Sequence, residues 1–199
     1  MLILIRHILV KHMALIEVRW HGRGGQGVVT ASDLLAKAAI LEGKYVWHAP
    51  MFGPERTGAP VMAFTRISDE PIEIHSGIYS PDIVVTIDPI QVVEVEWYTE
   101  GLKEGGSVVV NAKKIPKVLA DKAVQKNYKI FYVDAYDIAL NVFKRAFYNT
   151  PMLGALVKVT GIVGLESVLK VVETRFRKEI AEKNKEAIRK AYEEVKKYE

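Results

Sequence analysis

Apolar and polar residues change rhythm along this chain, and the changes mark out its elements. Ile16, Val18 and Trp20 alternate with Glu17 and Arg19, which predicts a strand over Leu15–Trp20 with one face buried. From Val28 to Glu42 the period lengthens. Val28, Ala31, Leu35, Ala38 and Leu41 fall near helical spacing, and Gly43 supplies the stop. A second strand is expected over Lys44–Ala49, followed by a loop rich in Pro and Gly at Pro50–Pro60. Val61–Ile67 alternates again and reads as a strand, with Ser68–Pro71 as its turn and Pro71–His75 as a hairpin partner. Then come the β-branched runs Asp82–Ile87 (DIVVTI), Ser107–Asn111 (SVVVN) and Lys129–Asp134 (KIFYVD), which suit buried strands. Helical stretches separate them at Pro89–Thr99, Pro116–Lys126 and Ala135–Ala146. This alternation predicts an α/β fold, a three-layer α/β/α domain with a mostly parallel sheet.

The tail is expected to be helical throughout, with Met152–Thr160 and Leu165–Val172 apolar enough to pack on the sheet or on a partner. Beyond them Phe176, Ile180, Ala187, Ala191 and Tyr198 form one stripe, while Glu179–Lys183, Glu186–Lys190 and Glu193–Lys197 stand i,i+4 on exposed faces. Residues 13–174 therefore read as the α/β domain and 175–199 as a C-terminal amphipathic helical extension. The stretch 1–12, MLILIRHILVKH, reads as an N-terminal extension or an upstream start ahead of Met13. Its charges Arg6 and Lys11 do not precede the apolar run and no small-residue cleavage site is evident, so it is not read as a signal peptide.

Charge and composition narrow the function classes. The chain has 199 residues, with 28 Lys+Arg against 24 Asp+Glu and a formal net charge of +4. That excess sits at the ends: 175–199 hold nine basic and six acidic residues and 1–12 hold two basic ones, leaving 17 basic against 18 acidic between them. A near-neutral domain has no electrostatic footprint for a phosphate backbone, so no nucleic-acid partner is expected. No apolar run approaches the roughly 18 residues of a membrane span, and a cytoplasmic location is expected. The chain has no cysteine, which excludes disulfides, Cys-ligated clusters and Cys nucleophiles.

Candidate chemistry concentrates in two segments. Gly22, Gly24 and Gly27 satisfy G-x-G-x-x-G between a strand and a helix, the context in which backbone N–H groups and a helix N-terminus receive a phosphate. A dinucleotide site would also place an acid about 20 residues on. Val46-Trp47-His48-Ala49 stands there instead, and the first strand is half polar, so the NAD reading fails. A tight turn alone explains one or two glycines, not Gly22, Gly24, Gly25 and Gly27 together with Gln26. With side-chain donors from Arg23 and Gln26, the turn favours an anion such as a phosphate or pyrophosphate. The second segment runs from Met51 to Pro60, where Gly53, Pro54, Gly58 and Pro60 fix the backbone, Glu55 and Arg56 present opposite charges and Phe52 adds an aromatic. It reads equally as a contact surface and as a turn with solvated charges. His21, His48 and His75 have no second ligand at metal spacing beside them. No G-x-S-x-G elbow appears, and Ser32 and Ser76 lack support as nucleophiles, so no catalytic or metal-binding residue is assigned.

Joined in order, WHGRGGQGVVTASDLLAKAA, MFGPERTGAP and VMAFTRISDEPI resemble the gamma subunit of 2-oxoacid:ferredoxin oxidoreductases, nearest to the pyruvate and 2-oxoisovalerate enzymes. The resemblance covers about residues 15–172, with one departure: Thr57-Gly58 stand where the family has Arg-Gly. It implies a subunit outside the catalytic core of a heterotetramer, partnered by alpha, beta and delta chains. Those partners would hold thiamine diphosphate with magnesium and the [4Fe–4S] clusters, and the complex would pass electrons to ferredoxin. The absence of cysteine and of a GDG…N diphosphate motif agrees with that division. For this chain it implies coenzyme A at the Gly22–Gly27 turn, with Gly53, Pro54, Glu55 and Arg56 beside it, or else a role of both motifs in assembly alone. A stand-alone phosphate- or nucleotide-binding module is the alternative of a different class. The Lys/Glu-rich exposed helix and the missing cysteine fit a thermophile.

Overall fold

The computed structural model describes residues 15–51 and 58–199; the stretch 1–12 and Gly53, Pro54, Glu55 and Arg56 lie outside the described residues. Among those described, seven strands form one sheet in the order β2-β3-β1-β4-β5-β6-β7. The strands are β1 (Ile16–Arg23), β2 (Tyr45–Met51), β3 (Pro60–Ser68), β4 (Ile83–Thr86), β5 (Ser107–Asn111), β6 (Lys129–Val133) and β7 (Lys196–Lys197). The helices are α1 (Val28–Leu41), α2 (Val95–Thr99), α3 (Lys117–Lys126), α4 (Ala135–Phe143), α5 (Asn149–Thr160), α6 (Leu165–Arg175) and α7 (Lys178–Glu194). None of the helices described is long and apolar enough to cross a membrane.

The α/β architecture matches the hydrophobic pattern, but the sheet is less parallel than the pattern implied. β1/β4, β4/β5 and β5/β6 pair in parallel, whereas β1/β3, β2/β3 and β6/β7 are antiparallel. The antiparallel half arises because β3 takes β2 as its antiparallel partner, with Pro50, Met51 and Pro60 inside the strands and not in the expected loop, and Pro71–His75 forms no strand. Short β-branched runs settle in the parallel half, where both faces are covered and near-continuous apolar sequence is required.

Alternate residues of β4, β5 and β6 feed two cores, while β1 and β3 feed the first alone. Val18, Trp20, Ile67, Val85, Val109 and Val133 point to the side of α1, α4, α5, α6 and α7. Val84, Val108, Val110 and Ile130 point to the side of α2 and α3. This second layer is thinner: Pro89–Thr99 yields a 3-10 turn at Gln91–Val93 and the short α2 rather than one helix. Its covering of β1 and β3 comes from an irregular segment around Ile78, itself buried. β1 is consequently buried on both faces, Arg19 and His21 included, where alternation implied a wet face.

The tail is not helical throughout. Arg175 and Lys178 are separated by extended residues, and Lys196–Lys197 pair with the edge strand β6. The buried face of α7 also differs from the expected stripe. Ala181, Ala187, Ile188 and Ala191 enter the main core, while Ile180 and Tyr198 are exposed. Small residues win that face because α7 lies close against α5, where Gly154 meets the backbone of Ile188. Glu179–Lys183 and Glu186–Lys190 pair as the spacing predicts; Lys197 has left the helix and joined the sheet.

Candidate functional site

The C-terminal ends of the parallel strands are where open α/β sheets present ligand sites. At this edge β1 runs into the glycine turn. Gly25 and Gly27 have positive φ, of 91° and 79°, and Gly27 is the residue before α1. A Cβ at Gly27 would stand 2.5 Å from the Asn149 side-chain nitrogen, so both conformation and space demand glycine there. Gly22 is a close-packing position: a Cβ on it would lie 2.6 Å from a Val28 methyl. Gly24 extends the β1–β3 ladder, its N–H donating to the Ala59 carbonyl at 2.8 Å and its carbonyl accepting from Gly58 at 3.2 Å. The two glycine-rich motifs, distant in sequence, are thus neighbours through Gly24, Gly58 and Ala59.

The side chains of the turn are turned inward on each other. Gln26 Oε1 accepts from the Arg23 N–H at 2.7 Å, and Gln26 N–H donates to the Arg23 carbonyl at 3.1 Å. Arg23 Nε donates to Asp88 Oδ2 at 2.6 Å, and the same guanidinium lies 3.6 Å from Glu94 Oε1. Its charge is therefore spent on carboxylates of this chain. Asp88 is almost fully buried, and its other oxygen accepts from Ile90 N–H at 3.0 Å. What remains open to an anion is the first turn of α1, which no side chain caps.

Asp88 and Asn111 escaped the sequence reading. Asn111 Nδ2 donates to the Ile87 carbonyl at 2.9 Å, and its Oδ1 accepts from Tyr136 N–H at 3.2 Å, stitching β4, β5 and α4 together. The available signal was positional: each is a polar residue closing a β-branched run, Asp88 directly before Pro89. Tyr148 joins the same edge, its phenol pushed up by burial first and then by the charge of Asp88, with a Gln26 hydrogen bond opposing.

His48 stands apart on the α1 side, whereas His21 and His75 both line a cavity on the other face of the sheet. His48 Nε2 lies 2.9 Å from Ser32 Oγ, which also bonds the Val29 carbonyl at 3.0 Å. Sequence gave this pair no local support because 16 residues separate its members. Ser32 is fully buried under the sheet, so the pair is a packing contact and not a nucleophile with its base. His75 stacks on Trp47, and its Nε2 lies 3.1 Å from the Ile72 carbonyl. His21 is almost fully buried, edge-on to Trp97 at 4.6 Å. Among the described residues, no group of three His, Asp or Glu could hold a metal.

Burial, and then the charge of Arg19, hold His21 well below its ordinary value. The native state keeps His21 neutral while the unfolded chain protonates it, so stability is expected to fall as pH drops below about 6.5. The slope approaches about 1.4 kcal/mol per pH unit for this group. Urea titrations between pH 7 and 5 should show this decline, and His21→Gln should make it shallower, leaving the part due to His48, which burial also lowers; parallel curves for the two proteins would overturn the assignment.

Residues 17–194 match the family model described as pyruvate ferredoxin/flavodoxin oxidoreductase. The chain belongs to this family. The gamma-subunit resemblance agrees with it. The chain is 50% identical, over 93% of its length and 100% of the relative's, to the common subunit gamma of the pyruvate/ketoisovalerate oxidoreductases of Thermococcus litoralis. The crystal structure of pyruvate oxidoreductase subunit PORC from Thermotoga maritima has the same fold, with a TM-score of 0.82 and 47% identity over 94% of this chain and 100% of that one. The fold recurs as part of a longer chain in the 2-oxoglutarate:ferredoxin oxidoreductase of Magnetococcus marinus, solved with 2-oxoglutarate, coenzyme A and succinyl-CoA. There the TM-score is 0.71 at 19% identity, over 90% of this chain and 30% of that one.

Proposed function

We propose that this chain is the gamma subunit of a CoA-acylating 2-oxoacid:ferredoxin oxidoreductase and works outside its redox core. The carrying observation is 50% identity, over 93% of this chain and the whole of the relative, to a common gamma subunit. In the overall reaction the bond between the carboxyl and carbonyl carbons breaks and CO2 leaves. The acyl group forms a thioester with coenzyme A, and two electrons pass to ferredoxin. With no cysteine, this chain takes the cluster-free place in such a complex, with alpha, beta and delta partners holding thiamine diphosphate, magnesium and the clusters. Assembly would occur in the cytoplasm.

The contribution we assign to the Gly22–Gly27 turn is on the coenzyme A side. The uncapped first turn of α1 offers backbone N–H groups to a phosphate, and the Arg23–Asp88 pair holds the turn in shape. Arg23→Ala combined with Asp88→Asn, which avoids a buried orphan carboxylate, is expected to raise the KM for coenzyme A roughly fivefold in the assembled complex, as loss of a contact of about 1 kcal/mol would. CoA-independent decarboxylation should be spared. An unchanged KM would sink the coenzyme A assignment.

One observation favours the rival reading, that the turn serves assembly. Arg23 faces two carboxylates, and the adjoining Ile90 and Val93 are exposed apolar residues suited to a partner's surface. Under that reading the double variant loses its partners on gel filtration before any KM is altered.

A further inference from the structure

Behind the glycine turn, on the sheet face away from α1, lies a cavity of about 430 Å³ that the coenzyme A reading does not use. Its size is that of a small-molecule site. Trp47, Met51, Met62, Phe64 and Trp97 give it an apolar, largely aromatic lining, and His21 is among the polar groups on its wall.

The hydrogen bonding of that histidine is unusual for a buried one. Arg19 Nε donates to His21 Nε2 at 3.0 Å, so Nε2 is the acceptor and the ring proton sits on Nδ1. Among the described residues Nδ1 has no hydrogen-bond partner, although the residue is 1% exposed. A buried N–H without an acceptor is costly, and native structures rarely leave one. The other donors of Arg19 go to the carbonyls of Ile78, Tyr98 and Glu100, and the Glu100 carboxylate, also on the cavity wall, acts on its charge from nearby. The result is a relay in which a buried cation polarises a neutral imidazole that presents one unmatched donor. A neutral imidazole in such a setting polarises a carbonyl oxygen.

We propose that this cavity binds a small compound with an apolar or aromatic body and a carbonyl or carboxylate oxygen, the oxygen accepting from His21 Nδ1–H and the body resting between Trp47, Phe64 and Trp97. Arg19 is a positioning residue that sets the tautomer. The site is separate from the coenzyme A reading, because it lies on the other face of the sheet and uses none of the α1 amides.

The test uses the full chain with phenylacetate, its neutral amide phenylacetamide, and ethylbenzene, which lacks an acceptor. Trp20, Trp47 and Trp97 are the three tryptophans of the chain, and Trp20 is sealed in the opposite core. Saturable quenching of emission by phenylacetate or phenylacetamide is expected, and Trp47→Phe with Trp97→Phe should abolish it. The comparison of acid with amide tells whether a charged or a neutral oxygen is preferred. His21→Leu should weaken the oxygen-bearing probe tenfold or more while leaving ethylbenzene unchanged. Should that variant not fold, wild-type chain carrying 15N-histidine gives the same answer, since the Nδ1–H proton of His21 must move downfield on binding. No saturable signal, or equal affinity in wild type and His21→Leu, overturns the proposal. Binding should persist in the assembled oxidoreductase; exclusion there would overturn it in favour of a partner side chain filling the cavity.

Discussion

Arg66→Met is expected to lower stability by about 3 kcal/mol, because buried carbonyls lose their donor while Glu17 keeps Lys103 at 3.5 Å. Arg66 is 2% exposed and its Nε donates to Glu17 Oε1 at 2.8 Å. Its remaining N–H groups reach the carbonyls of Ile74, Ser76 and Gly77, and the guanidinium lies over the Trp47 ring at 4.6 Å. Arg19 takes the carbonyl of Ile78 next along the chain. Two arginines from neighbouring strands therefore supply the donors that a ladder would otherwise give this segment, and methionine removes those from β3 while matching only the bulk. Urea unfolding measures the loss, and amide exchange should accelerate between Ile74 and Ile78. Arg66→Lys should fall between the two, because an ammonium keeps the charge without the planar fork. A loss below about 1 kcal/mol for Arg66→Met would show that water satisfies those carbonyls instead.

Gly154→Leu is expected to lower stability by about 3 kcal/mol through overpacking. A Cβ at Gly154 would stand 2.3 Å from the Ile188 carbonyl oxygen, an approach that only displacement of α5 or α7 relieves. For a chain of this size the loss corresponds to a fall in Tm of roughly 6–12 °C. Scanning calorimetry on the full chain checks it, and the transition should remain single, because α7 contributes Ala187, Ile188 and Ala191 to the core it shares with β1 and α1. An unchanged Tm would show that α7 is a detachable appendage.

The parts of the fold that were legible in the sequence are those where one local rule decides. Asp82–Ile87, Ser107–Asn111 and Lys129–Asp134 became β4, β5 and β6 because a short β-branched run buried on both faces has few other conformations. Val28–Leu41 became α1 from its periodicity, with Gly27 and Gly43 in positive-φ conformations at its two ends. The misread elements are those where partners distant in sequence choose. Pro71–His75 has the composition of a strand end, yet Arg66 of β3 holds it at Ile74, Arg66 and Arg19 of β1 hold the residues after it, and β2 occupies the edge of β3. Likewise the face of α7 was set by how near α5 could come, so Ile180 stayed outside and Ala181 went in.

The candidate site divides along the same line. The sequence by itself determined the family, through the order of its motifs, and the need for a glycine turn between β1 and α1. It also determined that the chain brings no thiolate to the oxidoreductase. Only the tertiary structure decided what the polar residues do. It set Asp88, 65 residues away, against Arg23, so that the glycine turn is tied to the end of β4. It buried Arg19 and His21 beneath residues from 77 to 100 and left one imidazole proton without an acceptor. The physical reason is range. Backbone conformation and hydrophobic period act over a few neighbouring residues and can be read in order, whereas burial and charge pairing depend on which distant groups the finished sheet brings within a few ångströms.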